Sequence, residues 1–471
     1  MRLARDRDQE PAEDADLYLR LGEGIGGTEV TQVGALMGYF ASETPTPLTN
    51  SVGGRVTGVL RIDADVLIPG SGEPVVNGAV VIDEGTITYA GPAAGAPGGR
   101  AGESYEVPVV MPGLWDCHGH FLGVTRLDLT EVMRTPIAVA AGRIVGDARA
   151  ALIAGFTSIR EPGGLGVYLA RVIDEGLAVG PHVYGAGAIL SQTAGHGDLH
   201  EYPLKWMHDL AEQEGFIHLC DGIDSCLVAT RTQLRIGAAF IKVCASGGVL
   251  SQIDDPIHQQ FRDDELEAIV GEAERVDRIV AAHCHGKPGI MAALRAGCTT
   301  IEHGTYLDEE AVAEMKKKGA VLVPTRYIVE RLVEFGRDHG LPDYAFRKIT
   351  HLADQHKAAL QLAVEKGVTI ALGTDIATSG EASGAPWGMN GRELRLLVDA
   401  GMEPLRAIEA ATANGPLTLG PQAPRTGMLE EGYVADVIAV AENPVDNIDV
   451  LAEPKNITHV WKAGILHKQP V

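Results

Sequence analysis

The chain has no apolar run approaching the length of a membrane span. Its first residues, MRLARDRDQEPAEDAD, are charged and lack the apolar core of a secretory signal. None of its six cysteines (Cys117, Cys220, Cys226, Cys244, Cys284 and Cys298) forms a C-x-x-C pair. Reduced thiols, packed as small buried hydrophobes in a cytoplasmic protein, are therefore expected. Positive charge is also in short supply. Lys and Arg number 39 against 63 Asp and Glu, a formal net charge of −24. That balance argues against nucleic acid or an anionic membrane as partner and leaves a small molecule. No G-x-x-x-x-G-K phosphate cradle, short-period repeat or low-complexity tract is present.

What remains is ample. With 471 residues, 45% of them hydrophobic, the chain can bury a large barrel core and a smaller companion. Residues 1–54 show no clean period and carry a Pro/Thr-rich stretch at 44–49, which suggests an N-terminal extension. From residue 56 the pattern changes to short alternating runs, VTGVLRIDADVLI, AVVIDEGTITYAG and YEVPVV, punctuated by Gly and Pro. The tail, YVADVIAVAENP and ITHVWKAGILHK, has the same character. Both ends thus predict antiparallel strands joined into one small composite β-sandwich, residues 55–108 with 425–471.

Between them, residues 109–424 alternate strand and helix. Apolar strand candidates end near Gly119, Glu161, Ile189, Ala245, His285, Gly304, Thr325 and Thr374. Segments such as DDELEAIVGEAERV, DEEAVAEMKKKG and GRELRLLVDAG have helical period, with Asp263 and Asp308 as expected N-caps of the first two. Eight such repeats predict a (β/α)8 TIM barrel, whose active site lies at the C-terminal ends of its strands.

Five short pieces fall at those ends: DCHGH (116–120), FIKVCASGG (240–248), AAHCHG (281–286), TIEHGT (300–305) and ALGTDIAT (371–378). His118 and His120 are two apart, a spacing that puts both imidazoles on one face of a strand. His283 and His303 close two further strands, and Asp375 follows Gly373, which lets the backbone crowd a neighbour. Each alone has an ordinary structural reading: a core histidine, or a helix cap. Neighbours on a strand point to opposite faces, so Cys117 and Cys284 are not expected among the ligands. Lys242 follows the apolar AAFI and precedes a small-residue loop. An unpaired ammonium inside a barrel is strongly unfavourable. Either a carboxylate pairs it, or it faces the helices, or it reacts with CO2 to a carbamate, an anionic ligand for two metals. Six such residues in order on five strand ends favour the metal reading.

These motifs resemble those of the amidohydrolase superfamily, in the branch holding imidazolonepropionase-like and prolidase-like hydrolases. The run SGGVLSQIDDPIHQQFRDDELEAIV after Lys242, and ATANGPLTLG followed by GMLEEGYVADV, carry the resemblance beyond the bare ligands. Chain length and ligand spacing look similar to hydrolases of thiocarbamate and phenylurea herbicides and to ochratoxin-type amidases and dipeptidases. The resemblance implies two divalent ions, zinc by default, with cobalt, manganese or iron as substitutes. His118, His120 and Asp375 would hold one, His283 and His303 the other, with CO2-derived carbamate on Lys242 and a hydroxide bridging them. Asp375 would move the proton from hydroxide to leaving group. It further implies a homo-oligomer.

The expected reaction is hydrolysis of an amide-like C–N bond (amide, carbamate, thiocarbamate or urea) in a small molecule. The alternative is a Xaa-Pro-type dipeptidase or N-acyl amino acid amidase; an esterase, a lactonase or a non-catalytic scaffold rank below. His285 and His196, in TAGHGD, are expected to touch substrate or leaving group. Arg326 and Tyr327, in VPTRYI, are expected to clamp a substrate carboxylate. Ser246, which opens the tight SGG loop, is also expected to contact substrate. Phe121, Trp387 and Met389 are candidates for an apolar pocket. Deamination is disfavoured because HCHG carries no Glu.

Overall fold

The structure, a computed structural model, describes residues 58–97, 102–212 and 215–470. The expected extension, residues 1–54, lies outside the described residues. The alternating runs at both ends form a seven-stranded sheet. Leu60–Leu67, Val75–Asp83, Thr86–Pro92 and Glu103–Pro112 come from one end; Val437–Val440, Ile457–Lys462 and Ile465–Lys468 come from the other. They join where Val437 sits opposite Pro112 in an antiparallel pair. The hairpin between 83 and 86 turns on Glu84 and Gly85, at φ 47° and 82°. Left-handed backbone at both central positions matches the twist of the strands it joins. Ile87 N donates to Tyr433 O at 2.8 Å and Ala435 N to Gly85 O at 2.8 Å, so the sheet curls towards its own edge. Ile62, Val80, Ile87, Val437 and Trp461 fill the space inside that curl.

The middle of the chain alternates parallel strands with helices. Leu114–Asp116, Phe156–Glu161 and His182–Gly185 form a three-stranded parallel sheet. Ile217–Leu219, Ile189–Ser191, Ile241–Cys244, Val280–Cys284, Thr300–His303 and Val321–Val323 form a six-stranded one, also parallel. Backbone bonds run between these pieces. Ala239 N donates to Gly185 O at 2.8 Å, Leu322 N to Thr369 O at 2.9 Å and Cys117 N to Leu372 O at 2.7 Å.

Period-2 alternation decides what each strand offers. On Ile241–Cys244, Ile241 and Val243 join the core with helix residues Leu266 and Ile269. Lys242 and Cys244 turn instead to a cavity over the strand ends. Glycine 373 permits a close approach there: a Cβ on it would sit 2.8 Å from His118 Cβ.

Two local expectations fare differently. Asp308 caps helix Glu309–Lys318, accepting from Ala311 N at 3.0 Å. Asp263 does not cap: it is the first residue of Asp263–Glu274, and the flanking residue is Arg262. Arg262 N is satisfied by the Glu265 carboxylate at 2.8 Å, while the Asp263 carboxylate accepts from Gln259 Nε2 at 2.8 Å and Arg295 Nη2 at 3.0 Å. All six cysteines are buried and unpaired. Among the described residues, no helix is long and apolar enough to cross a membrane.

Candidate metal centre

The strand ends deliver six histidines, one lysine and one aspartate to the same cavity: His118, His120, His196, His283, His285, His303, Lys242 and Asp375. His118 lies in the bend between Leu114–Asp116 and Gly119–Val124, not on a continuous strand with His120 as the spacing suggests. Both still reach Asp375, whose Oδ1 is 3.6 Å from His118 Nε2 and 3.1 Å from His120 Nε2. His118, His303 and Asp375 have ligand atoms within 4.8 Å of one another. The His283 ring centre is 4.6 Å from that of His303, and His303's is 5.0 Å from that of His118.

Each imidazole is aimed by a second partner. Glu302 Oε2 holds His118 Nδ1 at 2.6 Å, and Gly163 O holds His120 Nδ1 at 2.6 Å. Thr325 Oγ1 lies 2.7 Å from His303 Nδ1, and Thr305 Oγ1 lies 2.7 Å from His285 Nδ1. Gly247 O sits 3.2 Å from His283 Nε2. One ring nitrogen of each is thus engaged by a supporting partner, and the second nitrogens of His118 and His120 lie toward Asp375. This outer shell is the arrangement that fixes tautomer and ring direction at metal sites. His196 stacks on His283 with ring centres 4.1 Å apart and sets Nδ1 against Ser251 Oγ at 2.9 Å. A Cβ at Gly248 would lie 2.1 Å from the His196 ring, so the SGG loop packs there only as glycine.

Burial and charge set the protonation states. Burial, aided by the Lys242 charge, pulls His118 down to about 4. Burial lowers His283 and His303 well below the usual imidazole value. His120 goes the other way, because Asp375 outweighs burial. Neutral imidazole is the form that ligates metal. Burial also lowers the lysine at 242, favouring the neutral amine, which is the nucleophilic form. Its Nζ is buried and has no hydrogen-bond partner among the described residues. A buried polar atom without a partner costs free energy that a bound group can recover. The donor set and this orphaned amine fit a divalent metal centre.

Several contributors were not foreseen in the sequence. Glu302 accepts from Arg160 Nη2 at 2.6 Å while holding His118, and Arg160 also donates to Cys117 O at 2.7 Å. Alternation puts Glu302 and its neighbour His303 on opposite faces. Glu302 shares the inward face with Thr300 and with Lys242 and His283 of the neighbouring strands, and the left-handed backbone of His303, φ 68°, turns its imidazole back toward His118. Asp375 (φ 59°) and Thr325 (φ 54°) share this conformation. Non-glycine residues held there cost about 1–3 kcal/mol each and cluster at functional sites. Asp116 ties the two halves of the site, accepting from Thr374 Oγ1 at 2.6 Å, Asn390 Nδ2 at 2.7 Å and His118 N at 3.0 Å.

The expected substrate-binding residues lie elsewhere. Arg326 and Tyr327 do not line the cavity. The Arg326 guanidinium donates to Ala353 O at 2.7 Å, on helix Asp343–Glu365. Both residues open helix Arg326–Phe335, whose cavity-facing side is Ile328, Val329 and Leu332. Ser246 also stays out of the cavity, its Oγ accepting from His285 N at 2.8 Å. Phe121 and Trp387 stack on each other at 4.3 Å away from the cavity, and Met389 is not among its lining residues. Leu122, Val124, Leu127 and Ile189 supply the apolar surface instead.

The amidohydrolase family profile matches residues 109–466. The chain belongs to the amidohydrolase family. It is 46% identical to ochratoxinase from Aspergillus niger over 427 residues, covering 88% of this chain and 87% of that one. The A. niger ochratoxinase crystal structure superposes with a TM-score of 0.81 at 45% identity, over 88% of this chain and 96% of that one. A prolidase crystallised with N-methylphosphonate-L-proline gives 0.81 at 29% identity, over 88% and 100%. Molinate hydrolase, at 19% identity and a TM-score of 0.72 over 87% and 94%, shares the fold. These neighbours support a TIM-barrel-type α/β fold and a hydrolase acting on carbon–nitrogen bonds.

Proposed function

We propose that this amidohydrolase binds two divalent ions and cleaves the amide bond between an apolar acyl group and an amino acid. The observation that carries this reading is the position of the polar cluster at the bottom of an aliphatic cavity. Leu122, Val124, Leu127, Ile328, Val329 and Leu332 wall the cavity above the histidines. Such a surface takes an apolar group and leaves the polar bond for the floor. The 46% identity to ochratoxinase, spread over 87% of its length, supports the N-acyl amino acid alternative above ureas and carbamates.

In this reading the strands form the eight staves of a (β/α)8 barrel, and the curled sheet is the composite sandwich. His118, His120 and Asp375 would hold one ion, His283 and His303 the other, and a carbamate on Lys242 would reach both. When bound, such a pair of ions, zinc by default, supplies an activated water and polarises the scissile carbonyl. Asp375, buried against His118 and His120, takes the water's proton and hands it to the leaving nitrogen. His196 and His285 line the same cavity and orient the carbonyl and leaving group.

The test is a mass-spectrometric hydrolysis panel with Asp375→Asn as the blank. It sets N-aroyl amino acids against N-aryl ureas, carbamates and thiocarbamates at equal concentration. Turnover concentrated in the N-acyl amino acids is expected. Turnover confined to the neutral ureas or carbamates would overturn this reading.

A further inference from the structure

Among the described residues, Arg126 is the one arginine that lines the cavity. Arg126 is itself exposed, and Leu127, Leu129 and Ile349 are also among the lining residues. Its guanidinium makes no hydrogen bond or ion pair with any described residue, whereas the Arg326 guanidinium is committed to Ala353 O and Glu330. The backbone that carries Arg126 is fixed. Thr125 N and Arg126 N both donate to Glu131 Oε2, at 3.0 and 2.9 Å, and Thr125 Oγ1 donates to Glu131 Oε1 at 3.0 Å. Leu127 N donates to His339 O at 3.1 Å, tying this loop to the one that follows helix Arg326–Phe335. There Gly340, at φ 88°, leaves room for the guanidinium; a Cβ on it would lie 2.7 Å from Arg126 Nε. A hydrogen-bonded loop thus presents a planar, permanently charged fork, without a partner among the described residues, to the same cavity as the metal-ligand cluster.

We infer that Arg126 binds the free carboxylate of the substrate's amino acid half, making the enzyme selective for acidic amides over neutral ones. The inference rests on the amidase reading above and names the feature that sets its substrate class. Guanidinium and carboxylate match in a two-bond, charge-assisted pair. A neutral urea or carbamate gives Arg126 nothing to pair with, and loses the corresponding binding.

The experiment compares N-benzoyl-phenylalanine with its carboxamide, as substrates of the metal-loaded wild type, Arg126→Met and Arg126→Lys. The wild type is expected to prefer the acid by about 10- to 100-fold in kcat/KM, the worth of a charge-assisted contact. Arg126→Met should collapse that preference, mainly through KM for the acid, and Arg126→Lys should restore part of it. A preference that survives Arg126→Met overturns the inference and leaves the amidase reading standing. So does a parallel loss on both substrates, which is the outcome of a merely structural role. Absence of wild-type turnover on every N-acyl amino acid refutes the amidase reading and the inference with it.

Discussion

At the floor of the cavity each imidazole has a fixed partner: Glu302, Gly163, Ser251, Gly247, Thr305 and Thr325 serve His118, His120, His196, His283, His285 and His303 in turn. The walls above are aliphatic and carry a single uncommitted guanidinium. The two regions are built by different forces. Directional bonds set the floor, so each donor position depends on its neighbours. Dispersion and burial set the walls, where a side chain of similar volume can replace another at little cost. Chemistry and substrate choice can therefore change independently.

The largest effect is expected at Lys242. Lys242→Met should lower bound metal per chain and remove nearly all activity, with a loss beyond the about 10²- to 10⁴-fold attributable to proton transfer alone. In metal-stripped protein the same substitution should leave the melting temperature unchanged or raised, because an apolar chain replaces a buried amine without a partner. Metal analysis, turnover and calorimetry on both forms check this. A variant that keeps its metal and turns over normally would sink the carbamate reading.

Glu302 comes next. Glu302→Gln weakens the bond to His118 and breaks the ion pair with Arg160, both fully buried. Removing one partner of a buried pair costs about 3–5 kcal/mol. Metal affinity should fall about 10- to 100-fold, as for other outer-shell partners. Equal metal affinity in variant and wild type would show that the floor does not depend on this pair.

Leu332→Ala probes the wall. It should raise KM for an apolar N-acyl substrate by about 10-fold and leave metal content untouched, since one side chain's contact is worth about 1–3 kcal/mol. Loss of metal in this variant would contradict the separation of floor and wall.

The same division explains what the sequence disclosed. Each candidate ligand is a polar residue ending an apolar strand run, so a short pattern exposes it. The supporting residues are hidden for geometric reasons. Glu302 sits on the inward face of its strand, two residues from Thr300, and its role appears only where His118 and Arg160 arrive from other strands. Arg326 looked like a clamp because it follows an apolar strand. The helix begins at that residue, and the cavity receives positions 328, 329 and 332. Arg126 lies in a loop without any period, so no pattern marks it. Strand order and helix positions are readable from periodicity, and which loop side chains meet over the strand ends is not.

The smallest effect tests what holds the wall helix in place. Glu393 is buried and accepts from Arg326 N at 2.9 Å and Tyr327 N at 2.5 Å, at the start of helix Arg326–Phe335. Burial pushes its carboxyl from 4.5 up to about 8, despite those two donors. Below pH 4.5 the group is protonated in both folded and unfolded chains and exerts no pH dependence. As pH rises from 4.5, the unfolded chain ionises while the folded one resists until about pH 8. Unfolding therefore releases a proton across that window, and the contribution of Glu393 to stability falls as pH rises. Glu393→Gln removes the titration and keeps one acceptor for the helix. Its melting temperature, followed from pH 5 to 8.5, should decline less than that of the wild type, and KM for an apolar substrate should shift less than in Leu332→Ala. Parallel melting curves would mean that the carboxylate is ionised throughout, with the helix N–H groups outweighing burial. The wall would then be anchored by charge, as the floor is.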